Sequence, residues 1–204
     1  KKEDFYVSPS NQKAYEFINS WPRWIKRIIN IFGPSGSGKS HLSSILKSKT
    51  SCLHINSNEL NENTFFKFKT KEALIVENVN EKISENLLFS LWNVAMQDNK
   101  YLLFTSVKPI SSFKFKLPDL KSRAKDIITI GLKLPGDDLI GVILAKNFSD
   151  KQIKIEKKHI DYIIKRIDRS YEKISQFVLT LDKYSLEKGG PFSLKMIKEV
   201  LKMV

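Results

Sequence analysis

The chain has 204 residues, 41% of them hydrophobic: enough for one compact domain, or a larger one with a small appendage, and too many for a disordered chain. No apolar run nears the ~20 residues that span a bilayer, the opening KKEDFYV has no signal-peptide core, and the single Cys52 excludes an internal disulfide and a multi-cysteine zinc site, so a cytoplasmic protein without a membrane partner is expected. The net charge of +13 favours an acidic partner, but no basic run is long and no helix-turn-helix or RNA-binding signature is present, so contact with DNA is expected to be indirect.

Only five of the 35 basic residues are arginine: Arg23, Arg27, Arg123, Arg166 and Arg169. Where lysine is the default cation, each guanidinium asks for a reason, and its planar fork matches phosphate oxygens.

In chain order, SPSN starts a helix whose apolar positions are Tyr15, Ile18 and Trp21, and WPRW breaks it. Arg27 to Phe32 reads as a buried strand running into Gly33. SHLSSILK follows as a helix with Leu42, Ile45 and Leu46 on one face, then CLHI as a second strand. Residues 57–70 are polar and Phe-bearing, helix or loop. EALIVE is a third strand. ENLLFSLWNVAMQDN is an amphipathic helix with Leu88, Leu91, Trp92 and Ala95 as its stripe. YLLFTS is a fourth strand, LPDLKSRA a short segment, and DIITIGLKL a fifth strand. After LPGDD the periodicity is helical throughout, in about four helices, with GGP at 189–191 as a stop and restart. Alternating strands and helices predict an α/β domain with a parallel sheet over 1–134, followed by a small helical lid domain over 135–204.

Gly33-Pro34-Ser35-Gly36-Ser37-Gly38-Lys39-Ser40 fits the phosphate-loop pattern without a mismatch. Glycines let backbone N–H groups turn inward around a phosphate, Lys39 reaches the outer phosphates, and the Ser40 hydroxyl holds Mg²⁺. The helix that follows sets its positive end under the anion, and His41 in its first turn completes the expected nucleotide-contacting run. No base role is assigned to His41, His54 or His159. The 38 residues from Lys39 to Glu77 leave room for LIVE to lie beside the loop-bearing strand. Glu77 at that strand's end is the expected second holder of Mg²⁺. Asn78 stands where a second acid would activate water, and an amide cannot take that proton. The chain is therefore expected to bind ADP or ATP and to hydrolyse poorly alone.

FYVSPSN (5–11), GPSGSGKSHL (33–42), LIVENVN (74–80), LLFTSVKP (102–109), LPDLKSR (117–123) and IIKRIDRSYEKISQFVLTLDKYSL (163–186) together resemble the motif set of DnaA-like AAA+ proteins. The resemblance is stronger to the Hda family, the regulatory inactivators of the replication initiator DnaA. It implies an AAA+ phosphate-loop domain with a helical lid. Tyr6, Val7 and Asn11 would border the adenine, and Phe5 would be core. Thr105 or Ser106 would be the sensor 1 group, Arg169 the sensor 2 arginine with Arg166 beside it on the same helix, and Arg123 an arginine finger acting in trans on ATP held by DnaA. It also implies the DNA polymerase sliding clamp as a partner, through an N-terminal peptide that the opening KKEDF does not contain, and a homo-oligomer as an option. A stand-alone ATPase or helicase loader acting on single-stranded DNA is the competing expectation.

Overall fold

The computed structural model describes residues 6–189 and 192–204. Phe5, and the Gly190-Pro191 part of the expected helix stop, lie outside them. The chain forms two compact units, Lys1–Lys133 and Leu134–Val204.

In the first unit, α1 (Gln12–Asn19) leads to β1 (Ile28–Phe32), α2 (Lys39–Lys47), β2 (Cys52–Asn56), α3 (Glu62–Lys69), β3 (Ala73–Val79), α4 (Glu85–Gln97), β4 (Tyr101–Ser106), α5 (Pro118–Lys125) and β5 (Ile128–Gly131). The strands pair in parallel in the order β2-β3-β4-β1-β5. β3 therefore does not lie beside β1, as the loop spacing led us to expect: β4 is inserted between them. LLF at 102–104 is apolar at every position, and only a central strand covered on both faces buries such a run.

Side-chain alternation divides the core between the two faces of the sheet. Leu74, Val76, Leu102 and Phe104 pack with Phe68, Leu88, Leu91 and Trp92 on one face. Ile29, Ile31, Ile75 and Leu103 pack with Ile18, Leu42 and Leu46 on the other. Each such side chain, fully withdrawn from water, contributes about 1.5–3 kcal/mol. The helices start where their caps say. The Ser84 hydroxyl accepts from the Leu87 N–H at the head of α4 and Asn61 from the Asn63 N–H at the head of α3. Pro118 opens α5, at the one helical position where a missing N–H costs nothing.

The second unit is helical: α6 (Asp137–Asp150), α7 (Lys157–Ile164), α8 (Tyr171–Lys188) and α9 (Leu194–Leu201). Ser170 and Ser193 cap α8 and α9. Phe148, Ile163, Ile174, Phe177, Leu181, Ile197 and Val200 are buried. Among the described residues no helix is long and apolar enough to cross a membrane.

Candidate nucleotide site

β1 delivers the chain to the C-terminal edge of the sheet, where open α/β sheets take their ligands. Gly36 and Gly38 adopt φ of 72° and 95°, left-handed conformations that side-chain-bearing residues rarely tolerate. The loop thereby turns back over the first turn of α2, with Pro34 and Ser35 exposed on its rim and Ser37 and Lys39 buried beneath. Lys39 Nζ donates to the carbonyls of Gly33 (2.7 Å) and Pro34 (2.8 Å). Burial pushes its pKa below the ordinary lysine value, and the Glu77 carboxylate pulls it partly back. The Ser37 hydroxyl is buried and has no hydrogen-bond partner.

Glu77 reaches the loop across β4. Ser40 Oγ donates to its Oε2 at 3.0 Å, so the two expected metal holders meet, and His54 Nε2 of β2 lies 3.2 Å from its Oε1. That nitrogen is not aligned for a hydrogen bond, and Oε1 remains buried without a hydrogen-bond partner. A buried carboxylate oxygen cannot be left without a hydrogen bond or a ligand cheaply. An Mg²⁺ ion, which prefers oxygen ligands, fits the Ser40 hydroxyl and this oxygen. When bound, it would draw negative charge from the nucleotide's phosphates.

Asn78 follows with φ 58°, and the β3–β4 register shifts between Val76 and Val79. The strand is bulged here, and asparagine is among the few residues that accept the left-handed conformation. The Asn78 N–H donates to Thr105 Oγ1 (3.2 Å), and its carbonyl accepts from the Ser57 hydroxyl (2.9 Å). Thr105 and Ser106 are both buried, but they do different things. Ser106 is tied to Asn30 Nδ2 (2.9 Å) and the Lys108 carbonyl (2.6 Å), whereas Thr105 braces the bulge.

Asn11 is buried and donates to the Tyr6 carbonyl (2.8 Å), while the Ser8 N–H donates to its Oδ1 (2.9 Å), so its amide staples the segment that carries Tyr6 and Val7. Val7 is exposed, and His41 is half-buried in the first turn of α2. Arg123 Nη1 donates to Asn93 Oδ1 of α4 (2.5 Å), with its guanidinium carbon 4.7 Å from the Phe89 ring centroid. It lines a cleft with Arg27 and Ile28, at the start of β1 and the opposite end from the phosphate loop. Within the helical unit, Arg169 pairs with Asp137 (2.6 Å) and Arg166 stacks on Tyr162 (3.8 Å to the centroid). The two arginines do not share a helix. α7 ends at Ile164 and α8 begins at Tyr171, because the Asp168 carboxylate takes the Ser170 N–H and breaks the run.

Sequence reasoning gave His54 no role. Alternation along β2 sets His54 and Asn56 on one face, and the register places Asn56 beside Glu77, but that register is not readable from either strand alone. Glu85 was missed in the same way: its carboxylate accepts from the backbone N–H groups of Lys116 and Leu117 (2.8–3.0 Å) just ahead of α5.

No family model matches the chain. It is 27% identical to the chromosomal replication initiator protein DnaA of Borreliella afzelii and 26% identical to that of Borrelia garinii subsp. bavariensis. Both alignments take in 98% of this chain and 47% of the relative, so the chain spans about half the length of these relatives. Among solved structures, domain III of the Thermotoga maritima replication initiation protein DnaA superposes with a TM-score of 0.82 at 18% identity, over 100% of this chain and 95% of that one. The AMPPCP-bound DnaA of Aquifex aeolicus superposes at 0.78 and 18% identity, over 98% and 69%. The fold is a DnaA-like AAA+ fold. The phosphate loop and the paired Ser40 and Glu77 meet at the C-terminal ends of its strands.

Proposed function

We propose that the chain is a nucleotide-binding regulator of chromosomal replication initiation: it holds ADP or ATP, turns it over poorly alone, and inactivates DnaA by offering Arg123 to ATP on the initiator. The observation that carries this reading is the position of Arg123. From α5 it lines a cleft with Arg27 and Ile28 at the start of β1, whereas the chain's own loop leaves the end of that strand, and this separation supports a role toward a site on another molecule. Asn93 and Phe89 hold it in a fixed attitude at low entropic cost. An arginine finger contributes ~10³–10⁵ in rate by neutralising charge on the transferring phosphoryl group. On the chain's own side, Lys39 and Ser40 hold phosphates and metal, Glu77 the metal, and Asn78 supplies no base. Tyr6 and Val7 border the adenine, Arg169 is the sensor arginine, and the sliding clamp is a partner by the same resemblance.

The test mixes the purified chain with ATP-loaded DnaA and follows hydrolysis. Arg123→Ala is expected to bind ADP as the wild type does while losing the stimulation, a fall of ~10³ or more. Stimulation equal to wild type by Arg123→Ala would end the finger assignment.

A second reading is an AAA+ ATPase that acts directly on single-stranded DNA. The named relatives are initiators, and one structural neighbour is a DnaA bound to AMPPCP and single-stranded DNA, which favours it. It requires turnover by the chain alone that rises when single-stranded DNA is added. The inactivator reading requires no such rise. DNA affinity by itself decides nothing, because any strongly basic protein shows salt-sensitive binding.

A further inference from the structure

The Glu77 carboxylate has two neighbours that compete for different oxygens. Ser40 Oγ takes Oε2 at 3.0 Å, and His54 Nε2 stands 3.2 Å from Oε1. The second contact is not a hydrogen bond, since Oε1 has no hydrogen-bond partner although it is shut off from water. Glu77 and His54 are themselves largely buried, at 13% and 22% side-chain exposure. A nitrogen and an oxygen at this distance, with no hydrogen bond between them, are spaced like neighbours in a coordination shell. There each lone pair points to a shared ion, and adjacent octahedral ligands at ~2.1 Å are about 3 Å apart.

We propose that His54 joins Glu77 and Ser40 as a nitrogen donor to the nucleotide's cation, so that the site prefers a first-row transition-metal ion to Mg²⁺. The proposal rests on reading the phosphate loop as a nucleotide site. Mg²⁺ is held through oxygen and gives up its waters reluctantly, whereas divalent transition metals accept imidazole, with affinities that rise from Mn²⁺ along the first row. Lys39, folded onto loop carbonyls beneath, balances the charge of Glu77 without entering the donor set. β2 and β3 keep His54 in place: their parallel register sets His54 beside Ile75 and Asn56 beside Glu77, on a sheet face closed by α2.

The experiment titrates ADP into the 204-residue chain by calorimetry in Mn²⁺, in Mg²⁺ and in chelator, for wild type and His54→Gln, with thermal melts to check folding. It also records electron spin echo spectra of bound Mn²⁺. Wild type is expected to bind ADP more tightly with Mn²⁺ than with Mg²⁺ and to show nitrogen-14 modulation from a coordinated imidazole. His54→Gln is expected to lose that modulation and about tenfold or more of the Mn²⁺-dependent affinity, and with it the preference for Mn²⁺ over Mg²⁺. A wild-type spectrum without nitrogen coupling, or equal affinities with Mn²⁺ and Mg²⁺, overturns the proposal and leaves the nucleotide site standing. Failure of ADP to bind under every metal condition removes both.

Discussion

At position 78 one amide meets two demands. The backbone is left-handed at φ 58°, inside a bulge whose N–H is held by Thr105 and whose carbonyl is held by Ser57. Asparagine suits that conformation, and on the proposed reading its amide also withholds the charge that would activate water. The demands separate by substitution. Asn78→Val keeps the missing acid but forces a β-branched side chain into the left-handed region, and is expected to lower the unfolding free energy by about 1–2 kcal/mol in urea. Asn78→Asp keeps the backbone and restores a carboxylate, and intrinsic ATP turnover is expected to rise, within the ~10²–10⁴ that a positioned base can contribute. No gain in a steady-state assay would mean that more than one acid has been lost from this edge. The amide itself was legible in the sequence, as was the pattern that pairs Ser40 with Glu77. The bulge was not, because it is set by the register of β3 against β4, a relation between segments that local pattern does not encode. His54 was hidden for the same reason, and a lone histidine in a short strand carries no spacing signal.

The α4–α5 pair is the element on which the trans reading turns. It is pinned at both ends: Glu85, in the first turn of α4, accepts two backbone N–H groups at 116 and 117, and Asn93, two turns on, accepts from Arg123. These backbone hydrogen bonds hold the Glu85 carboxyl below its ordinary pKa of 4.5. A carboxyl depressed in the folded state binds its proton less readily there than in the unfolded chain. Its contribution to stability is therefore complete above pH 4.5 and is lost as the pH falls from that value through the lowered folded pKa. The wild type is expected to unfold at higher urea than Glu85→Gln at pH 7, and the two midpoints to converge as the pH approaches 3. Midpoints that stay equally far apart at both pH values would show that the carboxylate's charge is not what ties α5 down. The helices themselves were readable from the stripe at Leu88, Leu91, Trp92 and Ala95. The tie between them joins residues 31 and 32 apart and left no local trace.

At the scale of the molecule, the two units differ in what reports on them. All three tryptophans, Trp21, Trp24 and Trp92, fall in the unit Lys1–Lys133, and the helical unit Leu134–Val204 has none. Indole fluorescence therefore follows the α/β unit alone, whereas far-ultraviolet circular dichroism follows both. A ligand that binds only the native state adds RT ln(1 + [L]/Kd) to stability, about 2.7 kcal/mol at a hundredfold excess over Kd. If the nucleotide is held by the phosphate loop, ADP at that excess is expected to move the fluorescence-detected urea midpoint upward by the equivalent of this energy. Lys39→Ala removes the one buried cation of the loop, and ADP should then leave that midpoint where it was. The control is internal, because the substitution also deletes a charge that burial disfavours, so the unliganded variant need not be the less stable of the two. What decides the matter is the ligand-induced difference within each protein. An ADP shift of equal size in wild type and Lys39→Ala would place the nucleotide somewhere other than this loop.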